Sequence, residues 1–409
     1  MKILRRHFAI AALVILAGCS TPAPQVFQGA SGGPFRLGVD VLAGNGWDLL
    51  RGKRIGLITN QTSATGAGVP TRVAMKRAGV NLVALYAPEH GIDGTVGAGK
   101  AIGNRRDSLT GLPVYSLYGS TRKPTPQMLA GIDMLVFDIQ DIGVRSYTYI
   151  STMIVSMEAC AENGKEFTVL DRPNPLGGVR VEGPPVTSGW KSFVSQVPTP
   201  YLHGMTAGEL AMMASGDGWV KRPSLHVVKM QGWNRNMIWQ DTGLPWRRTS
   251  PNIPNAMSPF YYATTGMLGG SSGGDVGIGT GEPFGYAGAV SGINPQALAA
   301  SASRWGFPGV TFSPYSSHNG SGVRLGINPR TSSSLTALGV YLLAELNRMK
   351  GGSLVGRMHG DQLSLFNKVY GSESLRNDLV RGVPASRIVA SWSGYENSFR
   401  ARRVRYLLY

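Results

Sequence analysis

The sequence predicts an α/β protein, with a Rossmann-like, mostly parallel sheet domain followed by a smaller C-terminal α/β domain. Three observations lead there. Four short apolar runs, at 54–59, 81–87, 133–137 and 167–170, each end abruptly in polar residues, as buried strands do when they deliver side chains to a loop. Stretches of helical periodicity separate these runs, and strands alternating with helices favour a parallel sheet. The length of 409 residues and a hydrophobic fraction of 42% give ample material for two packed domains.

The first nineteen residues read as an export signal. Lys2, Arg5 and Arg6 precede an apolar run from Phe8 to Leu16 that is too short to span a bilayer comfortably. Leu16-Ala17-Gly18-Cys19 resembles the lipobox of bacterial lipoproteins, which implies cleavage before Cys19 and lipidation of its sulfur. Ser20 resembles the next residue of lipoproteins sorted to an outer membrane, so the expected location is the cell envelope, at the periplasmic face of that membrane. Residues 20–36 are expected to be a flexible tether, 37–289 a Rossmann-like catalytic domain with a loop-rich cleft wall, and 290–409 the second domain.

Along the first domain, a strand at 52–61 is followed by a polar loop and a helix from Thr71 to Arg77. A strand at 81–86 comes next, then a helix from Pro124 to Ala130, a strand at 133–137, a long helix from Tyr147 to Glu162 and a strand at 167–170. Thr206-Ala207-Gly208-Glu209 ahead of an apolar run is a capping box, so a helix is expected to start at about 207. Leu225 to Met230 alternates like a strand. Between Gly232 and Gly288 the chain turns irregular, with Trp233, Trp239, Trp246, Tyr261 and Tyr262 among many Gly, Ser and Pro. Those aromatics suit either a cleft wall that stacks on sugar rings or a core under long loops, and composition does not choose between them. In the second domain, strands are expected at 309–312 and 322–327, a helix at 334–349, and a last strand at 402–409 with Arg400, Arg402, Arg403 and Arg405 on a solvated face.

The bulk composition narrows the partners. Forty Lys and Arg against 23 Asp and Glu give a formal charge of +17, but the basic residues form no aromatic-interleaved stripe and the leader points to export, so nucleic acid is not the expected partner. A basic exterior fits anionic headgroups or wall polymers better. Of the two cysteines, Cys19 is assigned to lipid, which leaves Cys160 as a buried thiol in an apolar helical pattern. No metal-ligand spacing of Cys or His occurs, and no Gly-x-Gly-x-x-Gly follows the first strand, so neither a metal nor a dinucleotide cofactor is expected.

The chemistry gathers where the strands end. Open α/β sheets bind ligands at their carboxyl edge, and there the chain places Asn60, Gln61, Glu89, His90, Asp138, Asp141, Arg145, Asp171 and Arg172. Carboxylates converging on a partly apolar pocket have their pKa values pushed apart, which suits glycosidic hydrolysis with one acid protonated and one ionised. The same residues equally suit a satisfied salt-bridge network. Tyr147 and Tyr149 stand two apart, and Tyr149 is placed near the site.

Several motifs then resemble one family. These are Tyr86-Ala87-Pro88-Glu89-His90-Gly91, the run Phe137 to Arg145 with Tyr147-Thr148-Tyr149, Asp171-Arg172-Pro173-Asn174-Pro175-Leu176-Gly177-Gly178, and Val181-Glu182-Gly183-Pro184. His203-Gly204-Met205-Thr206, Ser250-Pro251-Asn252-Ile253-Pro254 and the terminal Arg405-Tyr406-Leu407-Leu408-Tyr409 continue in the same order. Over roughly 37–409 the chain is similar to the exo-β-N-acetylmuramidases of glycoside hydrolase family 171. The resemblance implies an active site in the cleft between two domains and removal of terminal N-acetylmuramic acid, or a related amino sugar, from non-reducing ends of peptidoglycan fragments, without cofactor. Glu89 matches the family's catalytic acid; His90, Asp138 and Asp141 are further catalytic candidates, and Asn60, Gln61, Arg145, Tyr149, Asp171 and Arg172 are candidates for substrate binding. The likeness breaks between Met267 and Phe284, where two family glutamates fall on Gly270 and Val276 and an arginine falls on Ile278. The alternative expectation is therefore a non-catalytic peptidoglycan-binding lipoprotein that uses the same cleft.

Overall fold

The computed structural model describes residues 23–27, 34–317 and 320–409. The expected signal segment at 1–19, with its lipidation site at Cys19, lies outside the described residues.

Strands form where β-branched and aromatic residues cluster between turn residues. In the first sheet they are β1 (Gln25–Phe27), β2 (Ile55–Ile58), β3 (Leu82–Ala87), β4 (Arg105–Arg106), β5 (Pro113–Ser116), β6 (Met134–Phe137), β7 (Glu166–Leu170) and β8 (Ser224–Val228). Their spatial order is β1-β8-β7-β6-β2-β3-β5-β4. All neighbours run parallel except β4, which is antiparallel to β5. Without the edge strands β1 and β4, the order is the doubly wound one of dinucleotide-binding folds, and its direction reverses between β2 and β6. The buried strands are apolar on both faces, as helices on each side require.

The tether reading needs a correction at β1. Val26 and Phe27 are β-prone and apolar; the segment pairs with β8, and the Phe27 ring packs 5.7 Å from that of His226. Part of 20–36 is therefore an edge strand.

Helices expected from pattern appear close to their expected bounds, at Thr71–Arg77, Thr148–Glu162, Ala207–Gly216 and Leu335–Met349. The capping box forms as read: Thr206 Oγ1 accepts from the Glu209 backbone N–H, and Glu209 accepts in return from Thr206 N–H.

A second, antiparallel sheet has the order β11-β12-β10-β9, from β9 (Gly274–Asp275), β10 (Tyr286–Ala289), β11 (Val310–Ser316) and β12 (Ser321–Ile327). It takes up chain from 274 onward, ahead of the expected boundary at 290. One core runs from Phe137 on the first sheet through Met153 and Phe260 to Leu338 and Phe399, so the two parts share their apolar interior. A separate core, including Val39, Met75 and Leu85, fills the opposite face of the first sheet.

The last expected strand is a helix. Ser393–Arg403 is helical and runs into a turn at Val404–Tyr406. Its buried residues, Phe399 and Arg403, are four apart, which is the helical repeat and not the alternation of a strand. Arg403 does not lie on a solvated face; it donates to the carbonyls of Gly178, His203 and Gly204.

Candidate active site

β3 ends at Ala87, and Pro88 turns the chain out of the sheet. His90 and Gly91 both adopt left-handed conformations, with φ of 70° and 77°, so the loop doubles back at once and holds Glu89 at the sheet edge. His90 Nδ1 lies 2.7 Å from the Val96 carbonyl, which pins the turn. Glu89 is 6% exposed and both of its oxygens are engaged. Oε1 accepts from the Gly99 N–H at 2.8 Å and Oε2 from the Thr148 hydroxyl at 2.6 Å. Thr148 opens the helix that follows β6, so a helix N-terminus faces the carboxylate.

Glu89 and His90 line a cavity of about 350 Å³, a volume within the range of small-molecule sites. Its polar wall carries Tyr118, Ser146, Thr148, Ser250 and Asn252. Its apolar wall includes Ile253, Phe284 and Val369, so both parts of the fold contribute. Tyr262 joins the two walls: its ring meets Phe284 edge-on at 4.8 Å, and its hydroxyl lies 3.1 Å from Ser146 Oγ. Burial pushes the Tyr118 and Tyr262 phenols up to about 12 and raises Tyr147 further, so all three remain neutral hydroxyls. Glu89 is the single carboxylate among the described residues lining this cavity. Larger concavities of about 420 and 490 Å³ occur elsewhere. In the first, Glu182 is already engaged, accepting from Arg180, the Ser334 hydroxyl and the N–H of Thr336.

The remaining sequence candidates do not line the cavity. Asp138 and Arg172 form a bidentate ion pair at 2.6 and 3.0 Å with both side chains buried, and Arg172 also donates to the Ala64 carbonyl. Asp171 accepts from the Thr206 and Tyr409 hydroxyls and the Gly208 N–H; burial nevertheless pushes it up to about 6. It ties Tyr409 to the sheet. Asp141 accepts from Gly143 N–H, and burial pushes it up to about 7. Arg145 is buried and donates to the carbonyls of Pro184, Thr199, Val369 and Tyr370, joining four segments of chain. Burial brings it down to about 10.

Asn60 Oδ1 accepts from both the N–H and the hydroxyl of Thr62, and Gln61 donates to the carbonyls of Arg248 and Thr249. These amides shape the loops below the site. Tyr149 meets the His90 ring edge-on at 6.5 Å and donates to the Thr249 carbonyl, so it packs behind the 88–91 loop while Tyr147 reaches the cavity. The choice left open for the aromatics divides by residue. Trp239 and Trp246 pack on each other at 4.9 Å and Trp233 on Tyr409 at 5.0 Å, as core, whereas Tyr262 and Phe284 form cavity wall. Thr148, Tyr118, Ser146 and Phe284 line the cavity without standing among the residues that the sequence marks as site candidates. Thr148 alone carried a signal, as the hydroxyl between two tyrosines at the start of a predicted helix.

Comparison with known proteins matches both halves of the chain. A family model described as "Exo-beta-N-acetylmuramidase NamZ, N-terminal" covers residues 55–257, and its C-terminal counterpart covers 260–409. The chain is 38% identical over 384 residues to the peptidoglycan beta-N-acetylmuramidase NamZ of Bacillus subtilis strain 168, spanning 91% of each protein. Two crystal structures of DUF1343 family proteins from Bacteroides fragilis NCTC 9343 share the fold. One has a TM-score of 0.85 at 42% identity and the other 0.71 at 26%; each alignment covers 92% of this chain and 99% of the other.

Proposed function

The chain belongs to the NamZ family of exo-β-N-acetylmuramidases and is a glycoside hydrolase, and from that membership we propose that it removes terminal N-acetylmuramic acid from peptidoglycan fragments with Glu89 as general acid. One observation carries the residue assignment: Glu89 is the single carboxylate among the described residues that lines the cavity, and its orientation is held by two donors.

The chemistry follows from the lining. A glycosidic oxygen leaving as an alkoxide needs a proton in the transition state, and a carboxyl at hydrogen-bond reach supplies it. Gly99 N–H and the Thr148 hydroxyl keep the carboxyl from swinging away from the scissile bond. Ser146, Ser250 and Asn252 offer hydrogen bonds to sugar hydroxyls and the acetamido group, and Tyr262 and Phe284 offer aromatic surface to the ring. Asp138 and Arg172 satisfy each other, which supports a scaffold role for that pair in place of the catalytic and binding roles expected of it.

We further propose that the chain is exported and anchored through lipid on Cys19, with its basic exterior against the anionic envelope. Metabolic labelling with an alkynyl fatty acid tests this: label is expected on the full chain and absent from Cys19→Ser, and equal labelling of both would refute it.

The activity is tested with defined muropeptide oligomers that carry either N-acetylmuramic acid or N-acetylglucosamine at the non-reducing end. Release of one terminal muramic acid from the first set, with internal bonds and the second set intact, is the expected result. Internal cleavage, or release of glucosamine alone, would contradict the proposal.

A further inference from the structure

The cavity wall holds a carboxylate and neutral groups, yet a muramyl substrate is itself an anion through the lactyl carboxylate on its ring. Among the lining residues, the acidic or basic side chains are Glu89 and His90. A carboxylate brought into such a cavity needs a compensating cation within reach.

One guanidinium rests on the wall. Tyr118 lines the cavity, and next to it, from the loop 117–124 that follows β5, comes the exposed Arg122. The Arg122 guanidinium carbon lies 4.9 Å from the Tyr118 ring centre and 4.7 Å from that of Phe193. The two rings are themselves 5.9 Å apart and tilted by 51°. Aromatic faces hold such a cation without consuming its charge, and a guanidinium keeps a fork of N–H donors suited to a carboxylate. Among the described residues Arg122 has no carboxylate partner. Tyr118 and Glu89 line the same cavity, and Arg122 lies over the Tyr118 ring, so the acid and the cation belong to a single wall. The lactyl group of a muramyl ring hangs two ring carbons from the anomeric carbon that Glu89 must serve. The acid and the ring that carries the cation line one cavity, so a single sugar bound there is offered both.

We propose that Arg122, held between Tyr118 and Phe193 at the mouth of the Glu89 cavity, receives the lactyl carboxylate and makes the site selective for muramic acid over neutral amino sugars. This rests on the muramidase reading above. The arginine expected by family likeness at the position of Ile278 is absent here, and Ile278 is exposed. In this protein the carboxylate contact comes from the opposite part of the fold.

The test compares the protein with Arg122→Gln and Lys100→Gln on three chromogenic β-glycosides: N-acetylmuramic acid, its methyl ester and N-acetylglucosamine. Lys100 is an exposed cation next to Gly99 and serves as the control. Arg122→Gln is expected to raise KM for the free acid about 10- to 100-fold with kcat nearly unchanged, the scale of one lost hydrogen-bonded charge contact. It leaves the methyl ester unaffected, so the preference for the acid disappears, and Lys100→Gln keeps that preference. Retention of the preference in Arg122→Gln, equal use of acid and ester by the unaltered protein, or loss of the preference only in Lys100→Gln would each overturn the proposal.

If the unaltered protein hydrolyses none of the three, the muramidase reading fails by itself. Titration calorimetry with free N-acetylmuramic acid and its methyl ester then decides the role of Arg122. Binding of the acid weakened in Arg122→Gln supports it, and binding unchanged overturns it.

Discussion

The Thr148 hydroxyl donates a 2.6 Å hydrogen bond to Glu89 Oε2, linking the first turn of the helix after β6 to the loop after β3 across the strand-order switch. Thr148→Val keeps the shape of the side chain and deletes the donor. A hydrogen bond contributes about 0.5–1.5 kcal/mol, and a freed carboxyl samples more orientations. The expected outcome is a fall in kcat of roughly tenfold or more with KM little changed, read from steady-state kinetics on a terminal muramyl glycoside.

Asp138 and Arg172 make a different prediction. Removing one member of a buried ion pair leaves the other charged and unpaired, at about 3–5 kcal/mol. Asp138→Ala is therefore expected to lower Tm by on the order of 5–10 °C, with activity lost in proportion to the protein unfolded. An unchanged Tm with activity abolished would instead make Asp138 a participant in the chemistry.

Arg145 joins Pro184, Thr199, Val369 and Tyr370 through their carbonyls and directly precedes Ser146, Tyr147 and Thr148. Lysine keeps the charge but not the planar fork. Arg145→Lys is expected to lower Tm and to expose the 184–199 segment to limited proteolysis, with kcat/KM reduced because the cavity-lining residues beside it lose their anchor.

Asp141 sets a pH dependence. Its ordinary value is 3.8 and burial raises it to about 7 in the fold, so the native state retains a proton that the unfolded chain has already released. This contribution to stability is complete below about pH 4 and is lost as pH rises through about 7. Asp141→Asn removes it. In denaturant titrations the variant is expected to match the parent near pH 4 and to exceed it near pH 8 by on the order of 1–3 kcal/mol.

What could be read in the sequence was local. The strand ending at Pro88 and Glu89 showed itself because an apolar run stops at a proline, and the helix at 207 because Thr206 and Glu209 stand three apart. Those are neighbour relations, and both appear in the structure. The division of the polar residues among roles was not legible. Asp138 and Asp141 look alike in the chain, but one meets Arg172 from the loop after β7 and the other pairs with no cation among the described residues. Arg145 resembles a substrate-binding arginine until the carbonyls of segments up to 225 residues away surround it. The cavity wall draws on Tyr118, Ser146, Asn252, Tyr262, Phe284 and Val369, which no single window of sequence brings together. Arginines alternating with apolar residues towards Tyr409 suggest a strand, whereas the packing of the last helix follows Phe399 and Arg403.

The most direct test of the account is the rate of N-acetylmuramic acid release from a terminal β-muramyl glycoside by the chain beginning at Ser20, measured beside Glu89→Gln. Release by the parent, reduced about 100- to 10,000-fold in the variant with Tm preserved, is the predicted result. Release that persists in Glu89→Gln at a similar rate would contradict the assignment of the acid. No release by either protein would contradict the proposed substrate.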